Sequence, residues 1–139
     1  VQYAPCCRPV PGDPIVGYLG RGEGLVVHIA DCPVASRLRH KDAERFIHVE
    51  WADEPARPFE TGVIVTVTNG KGVLARVASA FAGAEADIIH MDMGEEAAQE
   101  ATDLRFLIAV RDSTHLDGVL RALNRTTSVL RANRTRPAS

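Results

Sequence analysis

Apolar and polar positions alternate most regularly in the second half of the chain. Residues 63–68 read VIVTVT, a β-branched run that predicts a strand. After the turn NGKG, apolar residues recur at helical spacing and predict a helix with one inward face: Val73, Leu74, Val77, Ala78 and Phe81. This half therefore opens with a strand followed by a helix.

The same reading continues to the end of the chain. Residues 87–93 and 102–110 predict two strands joined by a polar turn, and residues 128–134 predict a last strand. Between them, a helix capped by Ser113 has an apolar face formed by Leu116, Val119, Leu120 and Leu123. The order βαββαβ predicts a ferredoxin-like domain, with a four-stranded antiparallel sheet and both helices on one face.

The first half has shorter runs. Residues 15–19 and 25–28 flank GRGEG and predict a hairpin, residues 32–42 have a helical pattern, and RFIHVEW at 45–51 alternates like a half-buried strand. The alternating glycines of the turn lack the ending of a phosphate loop. Residues 53–61 are charged and interrupted by two prolines, which predicts a linker. The predicted units are a module at 1–52, this linker, and a domain at 62–136.

Composition narrows the function classes. The chain has 139 residues, 45% of them hydrophobic, and a formal net charge of -2, which suits a globular protein and excludes a nucleic-acid binder that works by bulk positive charge. There is no membrane-length apolar run and no signal-peptide pattern, so we predict a cytoplasmic protein with no membrane partner. Because the chain starts at Val1, we expect a piece of a longer protein.

All three cysteines lie in the first quarter, near one histidine. Cys6, Cys7, His28 and Cys32 are residue types that bind zinc, and a turn bounded by prolines brings adjacent cysteines to one side. His28 and Cys32 have the spacing of a helical turn, and Pro33 suits the start of a helix. The alternative is that the cysteines are buried packing residues and the histidine is incidental.

The turn after residues 63–68 is a candidate ligand site. In TNGKGVLARV, glycines expose backbone N–H groups before a helix whose positive end favours a carboxylate, and Asn69 offers an amide. Asp87, at the start of the next strand, is suited to an ammonium group. Together these groups describe a site for a free amino acid. The alternative is that Gly70 and Gly72 only shape the turn and that Asp87 ends a strand.

Two segments resemble known modules. The stretch NGKGVLARVASAFAGAEADI resembles the signature of ACT domains, which are βαββαβ regulatory modules that commonly bind amino acids and pair side by side. The stretch CCRPVPGDPIVGYLGRGEGLVVHIADCP resembles the zinc-finger, or ribosome-intersubunit, module of long RelA/SpoT-type enzymes, which make and hydrolyse (p)ppGpp. The two modules occur in this order in that family, so the resemblance covers essentially the whole chain.

The resemblance implies an α+β fold: a small zinc-finger-like α/β module followed by a ferredoxin-like ACT domain. It implies zinc ligation by Cys6, Cys7, His28 and Cys32, and a homodimer formed through the ACT domain. By analogy with other ACT domains, the ligand-binding residues are Asn69, Gly70, Lys71, Gly72, Val73, Leu74 and Asp87. Because Ile88, Ile89, Met91 and Leu107 or their counterparts in a partner chain are apolar, we expect valine, leucine or isoleucine rather than a charged amino acid.

The resemblance also implies a role in the stringent response. The family's hydrolase centre depends on a His-Asp pair, but no histidine here precedes an aspartate. We therefore expect no catalytic residues in this chain and a parent that is a GTP pyrophosphokinase and (p)ppGpp hydrolase. We expect the ACT domain to bias synthesis against hydrolysis through the parent's catalytic domains. The alternative is a structural tail that dimerises and binds the ribosome but no small molecule.

Ribosome contact requires positive charge on the first module. We define the basic face as Arg8, Arg21, Arg37, Arg39, Lys41 and Arg45, whose side chains suit contacts with rRNA phosphates. Aromatic residues make up only 5% of the chain, which disfavours base stacking. The alternative is that these residues form ion pairs with Asp31, Asp42 and Glu44.

Overall fold

Two four-stranded sheets account for most of the secondary structure. The structure is a computed structural model that describes residues 1–52, 58–93 and 100–135. The first module contains β1 (Gln2–Tyr3), β2 (Ile15–Gly20), β3 (Gly24–Ile29), α1 (Pro33–Lys41) and β4 (Phe46–Ile47), with a 3-10 turn at Ala43–Arg45. The second contains β5 (Phe59–Thr68), α2 (Val73–Gly83), β6 (Asp87–Met93), β7 (Ala101–Val110), α3 (Ser113–Asn124) and β8 (Val129–Arg134).

The first sheet has the strand order β1-β3-β2-β4. β2 and β3 form the predicted antiparallel hairpin, and β1 adds to β3 in the parallel direction. The predicted strand at 45–51 is wrong in extent, because only Phe46 and Ile47 pair with β2, opposite Tyr18 and Gly17. Alternation marked a half-buried segment, but the residues after Ile47 have no strand to pair with among those described.

The second sheet has the order β6-β7-β5-β8, with every pair antiparallel, and confirms the predicted ferredoxin-like βαββαβ arrangement. Alternate residues of β5 and β7 enter one buried cluster together with the inward positions of α2 and α3. Phe81 and Phe106 meet at the centre, with ring centroids 4.7 Å apart. The apolar periodicities therefore specified both the elements and the face that each one buries.

Two details of the helices differ from the prediction. Leu74 was expected on the inward face of α2 but is 41% exposed, because Val73, Val77 and Phe81 already define that face. Ser113 was expected to cap α3, but the preceding Asp112 is the N-cap, and its carboxylate accepts a hydrogen bond from the backbone N–H of His115 at 2.8 Å.

The two modules share packing. Val10, from the first module, is fully buried within the core cluster of the second, and Tyr3 and Trp51 pack against the same cluster. Both aromatic rings contact Phe59, with centroid distances of 5.3 Å. Residues 53–57 of the predicted linker lie outside the described residues, and β5 begins within the rest of it, at Phe59. Residue 136 and most of the predicted polar turn before β7 also lie outside them.

Within the described segments, no helix is both long enough and apolar enough to cross a bilayer.

Candidate functional site

Three separate elements carry the four predicted metal ligands. Cys6 and Cys7 lie in a turn after β1, which is closed by the backbone N–H of Arg8 donating to the carbonyl of Ala4 at 2.9 Å. Arg8 has a φ of 44°, so the chain reverses direction directly after the cysteine pair. This turn does what the flanking prolines suggested: it brings neighbouring thiols to one side.

The other two ligands come from β3 and the start of α1. His28 lies on β3, and Cys32 is the N-cap residue of α1, which begins at Pro33 as predicted. The predicted helical turn for the His28 and Cys32 pair is wrong, since His28 is in a strand. A tight turn joins them instead, in which the N–H of Cys32 donates to the carbonyl of Ile29 at 3.0 Å.

The four ligand atoms converge to distances that suit one metal ion. The Sγ of Cys6 lies 3.9 Å from that of Cys7, 3.6 Å from that of Cys32 and 3.5 Å from Nδ1 of His28. All four atoms lie within 4.8 Å of one another. Tetrahedral zinc, with bonds of about 2.3 Å to sulfur and about 2.0 Å to nitrogen, separates its ligand atoms by about 3.5–3.8 Å. The residues present therefore fit a Cys₃His zinc site.

Burial sets the protonation of the ligand atoms. It raises the pKa of the Cys7 thiol and that of the Cys6 thiol, and it lowers the pKa of His28. At neutral pH the metal-free site therefore holds protonated Cys6 and Cys7 thiols and a neutral imidazole. A metal ion must displace the thiol protons, and the N–H of Ile29, which donates to the Sγ of Cys7 at 3.3 Å, is placed to stabilise the resulting thiolate.

Sequence reasoning missed two residues that hold the segment directly after Cys7. Asp13 and Arg134 form an ion pair at 2.8 Å that joins the segment after the cysteines to β8. A turn signal at Pro11, Gly12 and Asp13 was visible in the sequence, but nothing local identified an arginine at the far end of the chain as its partner.

The predicted amino-acid loop lies at one end of the second sheet. Gly72 has a φ of 76° and is the N-cap of α2, which has no side-chain cap. Asn69 accepts a hydrogen bond from the hydroxyl of Thr102 at 3.1 Å, and its backbone N–H donates to the carbonyl of Glu100 at 2.9 Å. Lys71 is exposed and Val73 is buried beneath the loop. The loop is therefore anchored to β7, with its glycines exposed.

Asp87 lies at the other end of the same sheet. It pairs with Ala109 on β7, whereas Thr68, the last residue before the loop, pairs with Ala101. Eight residues of strand between these two positions span about 27 Å. A single chain therefore does not bring the loop and Asp87 together.

Of the apolar residues predicted for the ligand, Ile88 and Ile89 lie on an exposed edge, whereas Met91 is half-buried against the core and Leu107 lies on the central strand β7. Ile88 is 39% exposed and Ile89 is 51% exposed, and among the described strands β6 pairs only with β7. Asp87 and Ile88 also line a cleft of about 480 Å³ with the end of α2. A larger cavity of about 620 Å³, between α2 and α3, is lined by none of the predicted ligand residues.

Most of the basic face carries no ion pair. Among the described residues, no salt bridge joins Arg21, Arg37, Arg39, Lys41 or Arg45 to Asp31, Asp42 or Glu44. Arg8 lies 3.5 Å from Glu60, Arg39 covers the Phe46 ring, and Arg45 donates to the carbonyl of Leu19. The alternative prediction, that the basic face forms ion pairs with Asp31, Asp42 and Glu44, is therefore wrong for the described residues.

Comparison with known families divides the chain in the same two parts. A model described as the RelA/SpoT RIS domain matches residues 1–52, and a model described as the ACT domain matches residues 55–134.

Curated relatives match nearly the full chain. The bifunctional (p)ppGpp synthase/hydrolase SpoT of Escherichia coli (strain K12) is 33% identical over 136 residues, covering 98% of this chain and 19% of that protein. A GTP pyrophosphokinase of Streptomyces coelicolor is 33% identical over 123 residues, covering 88% of this chain and 14% of the relative. The chain thus spans less than a fifth of the length of either protein.

A solved structure also resembles part of the chain. The crystal structure of the ACT domain from the GTP pyrophosphokinase of Chlorobium tepidum superposes with a TM-score of 0.49 at 13% identity, covering 56% of this chain and 99% of that one.

Proposed function

Because the chain belongs to the ACT domain family and is homologous to the C-terminal region of SpoT/RelA (p)ppGpp synthetases/hydrolases, we propose that it regulates such an enzyme. In this proposal the first module binds zinc and contacts the ribosome. The ACT domain binds a branched-chain amino acid and biases synthesis against hydrolysis in the parent's catalytic domains. The observation that carries the proposal is the convergence of three thiols and one imidazole in a chain whose other half is an ACT domain.

Zinc is the metal best suited to this ligand set. Three thiolates and an imidazole in a closed, mostly buried cluster are typical of structural zinc sites, which leave no position for a substrate. When bound, zinc supplies a cross-link between the turn after β1, strand β3 and the start of α1. We therefore assign it a structural role.

Native mass spectrometry tests the metal directly. We expect the chain to carry one zinc ion, the His28→Ala variant to lose it, and the His48→Ala variant to keep it, because His48 lies at the surface beside Glu50. A wild-type chain without zinc after refolding with excess metal contradicts the assignment.

The amino-acid site requires a second copy of the chain. Since β6 is an edge strand, antiparallel pairing of two β6 strands places Asp87 of one copy near the Met93 end of the other, which is the end of the sheet that carries the loop. This pairing also covers the exposed Ile88 and Ile89. A carboxylate at the loop, an ammonium at Asp87 and an aliphatic side chain over the isoleucines describe valine, leucine or isoleucine.

Thermal unfolding against the twenty amino acids, with zinc fixed, tests the ligand. At about 100 times its dissociation constant a ligand adds about 2.7 kcal/mol, which raises the melting temperature of a chain this size by about 5–15 °C. We expect valine, leucine or isoleucine to produce this shift, and Gly72→Ala and Asp87→Ala to abolish it. Asp117→Ala, an exposed change on α3, is the control.

The structural tail is the second candidate, and the exposed edge of β6 favours it. Apolar residues on an unpaired edge serve a dimer whether or not a ligand is present. Sedimentation equilibrium together with the amino-acid panel separates the two candidates. A dimer that no amino acid stabilises supports the tail, whereas an amino-acid-dependent rise in stability supports the sensor.

Ribosome contact rests on the unpaired charges of the basic face. Cosedimentation with ribosomes at increasing salt tests it, because each phosphate contact adds to the salt dependence of binding. We expect the double variant Arg37→Glu and Lys41→Glu to weaken binding and to flatten its salt dependence. Arg125→Glu, in the second module, is the control. Equal binding by both variants contradicts the proposed surface.

A further inference from the structure

The segment that carries Cys6 and Cys7 continues into the core of the ACT domain. We define the junction segment as residues 8–13, which follow the cysteine pair directly. The side chain of Val10 is fully buried and belongs to the cluster built by β5, β7, α2 and α3. One short stretch of chain is therefore attached to metal ligands at its start and to the ACT core in its middle.

Arg134 holds both ends of the junction segment from the ACT side. Its Nη1 and Nη2 donate to the carboxylate of Asp13 at 2.9 and 2.8 Å, and Nη2 also donates to the backbone carbonyl of Arg8 at 2.9 Å. The side chains of Arg134 and Asp13 are only 14% and 10% exposed. A bidentate pair with so little exposure is only weakly screened by salt and is fixed in geometry.

Asp13 also organises the segment internally. Its carboxylate accepts a hydrogen bond from the N–H of Val10 at 2.8 Å, and its own N–H donates to the carbonyl of Val10 at 3.0 Å. The indole N–H of Trp51 donates to the carbonyl of Asp13 at 3.0 Å. The turn is thus closed on itself before Arg134 attaches it to β8.

A second attachment reaches α3. The N–H of Ser113, in the first turn of α3, donates to the carbonyl of Pro11 at 2.7 Å. Gly12 has a φ of 103° and lies so close to Ser113 that any side chain would overlap its hydroxyl. The junction segment therefore satisfies a backbone donor of an ACT helix that the helix itself leaves free.

We propose that Arg134 is a positioning residue of the metal centre, acting from the ACT domain. By fixing the carbonyl of Arg8 and the carboxylate of Asp13, it holds the turn in which Cys6 and Cys7 face His28 and Cys32. Metal affinity and ACT stability are then linked, and the linkage is reciprocal: zinc stabilises the docked ACT domain by the same factor by which docking strengthens zinc binding. This inference rests on the proposed zinc site.

Competition between the whole chain and a chromophoric zinc chelator tests the inference. We expect Arg134→Gln to weaken zinc binding by about 10- to 100-fold, the range typical of residues that support metal ligands without binding the metal. Arg134→Lys keeps the charge but loses the forked geometry, so it recovers only part of the affinity. Arg131→Gln, an exposed arginine on the same strand, leaves the affinity unchanged.

A second readout separates positioning from a general loss of stability. Hydrogen exchange of the β5 and α2 amides slows when zinc is added to the wild type, and this protection is lost in Arg134→Gln. If Arg134→Gln does not fold, Asp13→Asn removes the same charge pair with a smaller change of shape, and we expect it to weaken zinc binding by about tenfold.

The possible results are distinguishable. Wild-type zinc affinity in folded Arg134→Gln, or in folded Asp13→Asn, overturns this inference and leaves the zinc site intact. Zinc binding that does not change amide exchange in the ACT domain also overturns it. A wild-type chain that binds no zinc overturns the proposed metal site and this inference with it.

Discussion

The two modules are held together in different ways. Among the described residues, the ACT core cluster contains seventeen buried side chains, whereas the cluster of the first module contains six, of which Cys7 and Cys32 are candidate metal ligands. A core of that size rarely stabilises a domain of about 50 residues without a metal or disulfides. The difference is what the proposed zinc site leads us to expect: the ACT domain folds by packing, and the first module depends on packing together with a metal.

The junction segment makes the stability of the two modules less independent. Val10 extends the ACT core into the first module. The ion pair between Asp13 and Arg134 attaches the segment that follows Cys6 and Cys7 to β8, the last strand of the ACT domain. In the proposed account, the module with the small core is therefore supported by the metal on one side and by the ACT domain on the other. Four predictions test this contrast.

Metal removal has the largest expected effect. With free zinc at about 1,000 times its dissociation constant, chelation lowers the free energy of unfolding by about 4 kcal/mol. Cys32→Ser has the same effect because it removes a ligand, and chelator then changes little further. Urea unfolding with and without chelator measures both. A wild-type chain whose stability is indifferent to chelator contradicts the assigned role of the metal.

Shortening Val10 tests whether the first module contributes to the ACT core. Val10→Ala leaves a cavity among fully buried side chains and lowers the free energy of unfolding by about 1.5–3 kcal/mol. Ile47→Ala, at a residue that is 40% exposed, is the control and costs much less. If the two variants are equally stable in urea, Val10 is not a core residue of the ACT domain.

Alanine substitutions at two glycines with similar backbone conformations distinguish the cost of backbone strain from the cost of a lost packing contact. Gly12 and Gly22 have φ values of 103° and 92°, but only Gly12 has a neighbour within reach of an added Cβ. Each alanine substitution carries a conformational cost of about 1 kcal/mol. We expect Gly12→Ala to lower the free energy of unfolding by about 1 kcal/mol more than Gly22→Ala does, because the Gly12 substitution also separates the junction segment from α3. Equal losses for the two variants argue against close docking there.

The pH dependence of the metal-free chain gives the smallest effect at neutral pH and grows on either side of it. The pKa of Cys7 is raised above 9.0 by burial, so above pH 9 the unfolded state loses a proton that the folded state keeps, and this thiol alone lowers stability by at most about 1.4 kcal/mol per pH unit. The pKa of His28 is lowered below 6.5, so below pH 6.5 the unfolded state gains a proton first and stability falls again. The metal-free chain is therefore most stable between these values.

Zinc changes this profile in a way that urea unfolding across pH detects. Bound zinc replaces the thiol protons, so the loss above pH 9 disappears and the loss at acid pH becomes steeper. The variant His28→Ala keeps the loss above pH 9 whether or not zinc is added. A zinc-loaded wild type with the profile of the metal-free chain speaks against thiolate ligation.

Local patterns in the sequence predicted most of the fold. The alternation in β5 and β7 and the helical spacing of Val73, Val77 and Phe81 identified the ferredoxin-like arrangement, because burial on one face imposes those periods. The same patterns failed at residues 45–51 and at Leu74. A period shows that a residue is half-buried, but it does not show whether a partner strand or a second chain covers it.

In the candidate site, too, some residues could be identified from the sequence and others could not. Cys6, Cys7, His28 and Cys32 were recognisable by residue type, and the structure brings their ligand atoms together. Asp13 and Arg134 were not recognisable, because 121 residues separate them and no period or motif links them. The distance between Asp87 and the loop at 69–72 was also hidden, since it depends on the register of both β5 and β6 against β7.

The measurement that tests cooperation between the modules most directly is thermal unfolding of the whole chain with two probes, with and without zinc. Trp51 is the only tryptophan and lies at the junction, stacked on Tyr3 and in contact with Phe59 of β5, so its fluorescence reports the docking of the first module on the ACT domain, while far-UV circular dichroism reports mainly α2 and α3. We predict that both probes give the same transition and that zinc raises both melting temperatures together. A fluorescence transition that moves with zinc while the circular dichroism transition stays fixed would contradict the account.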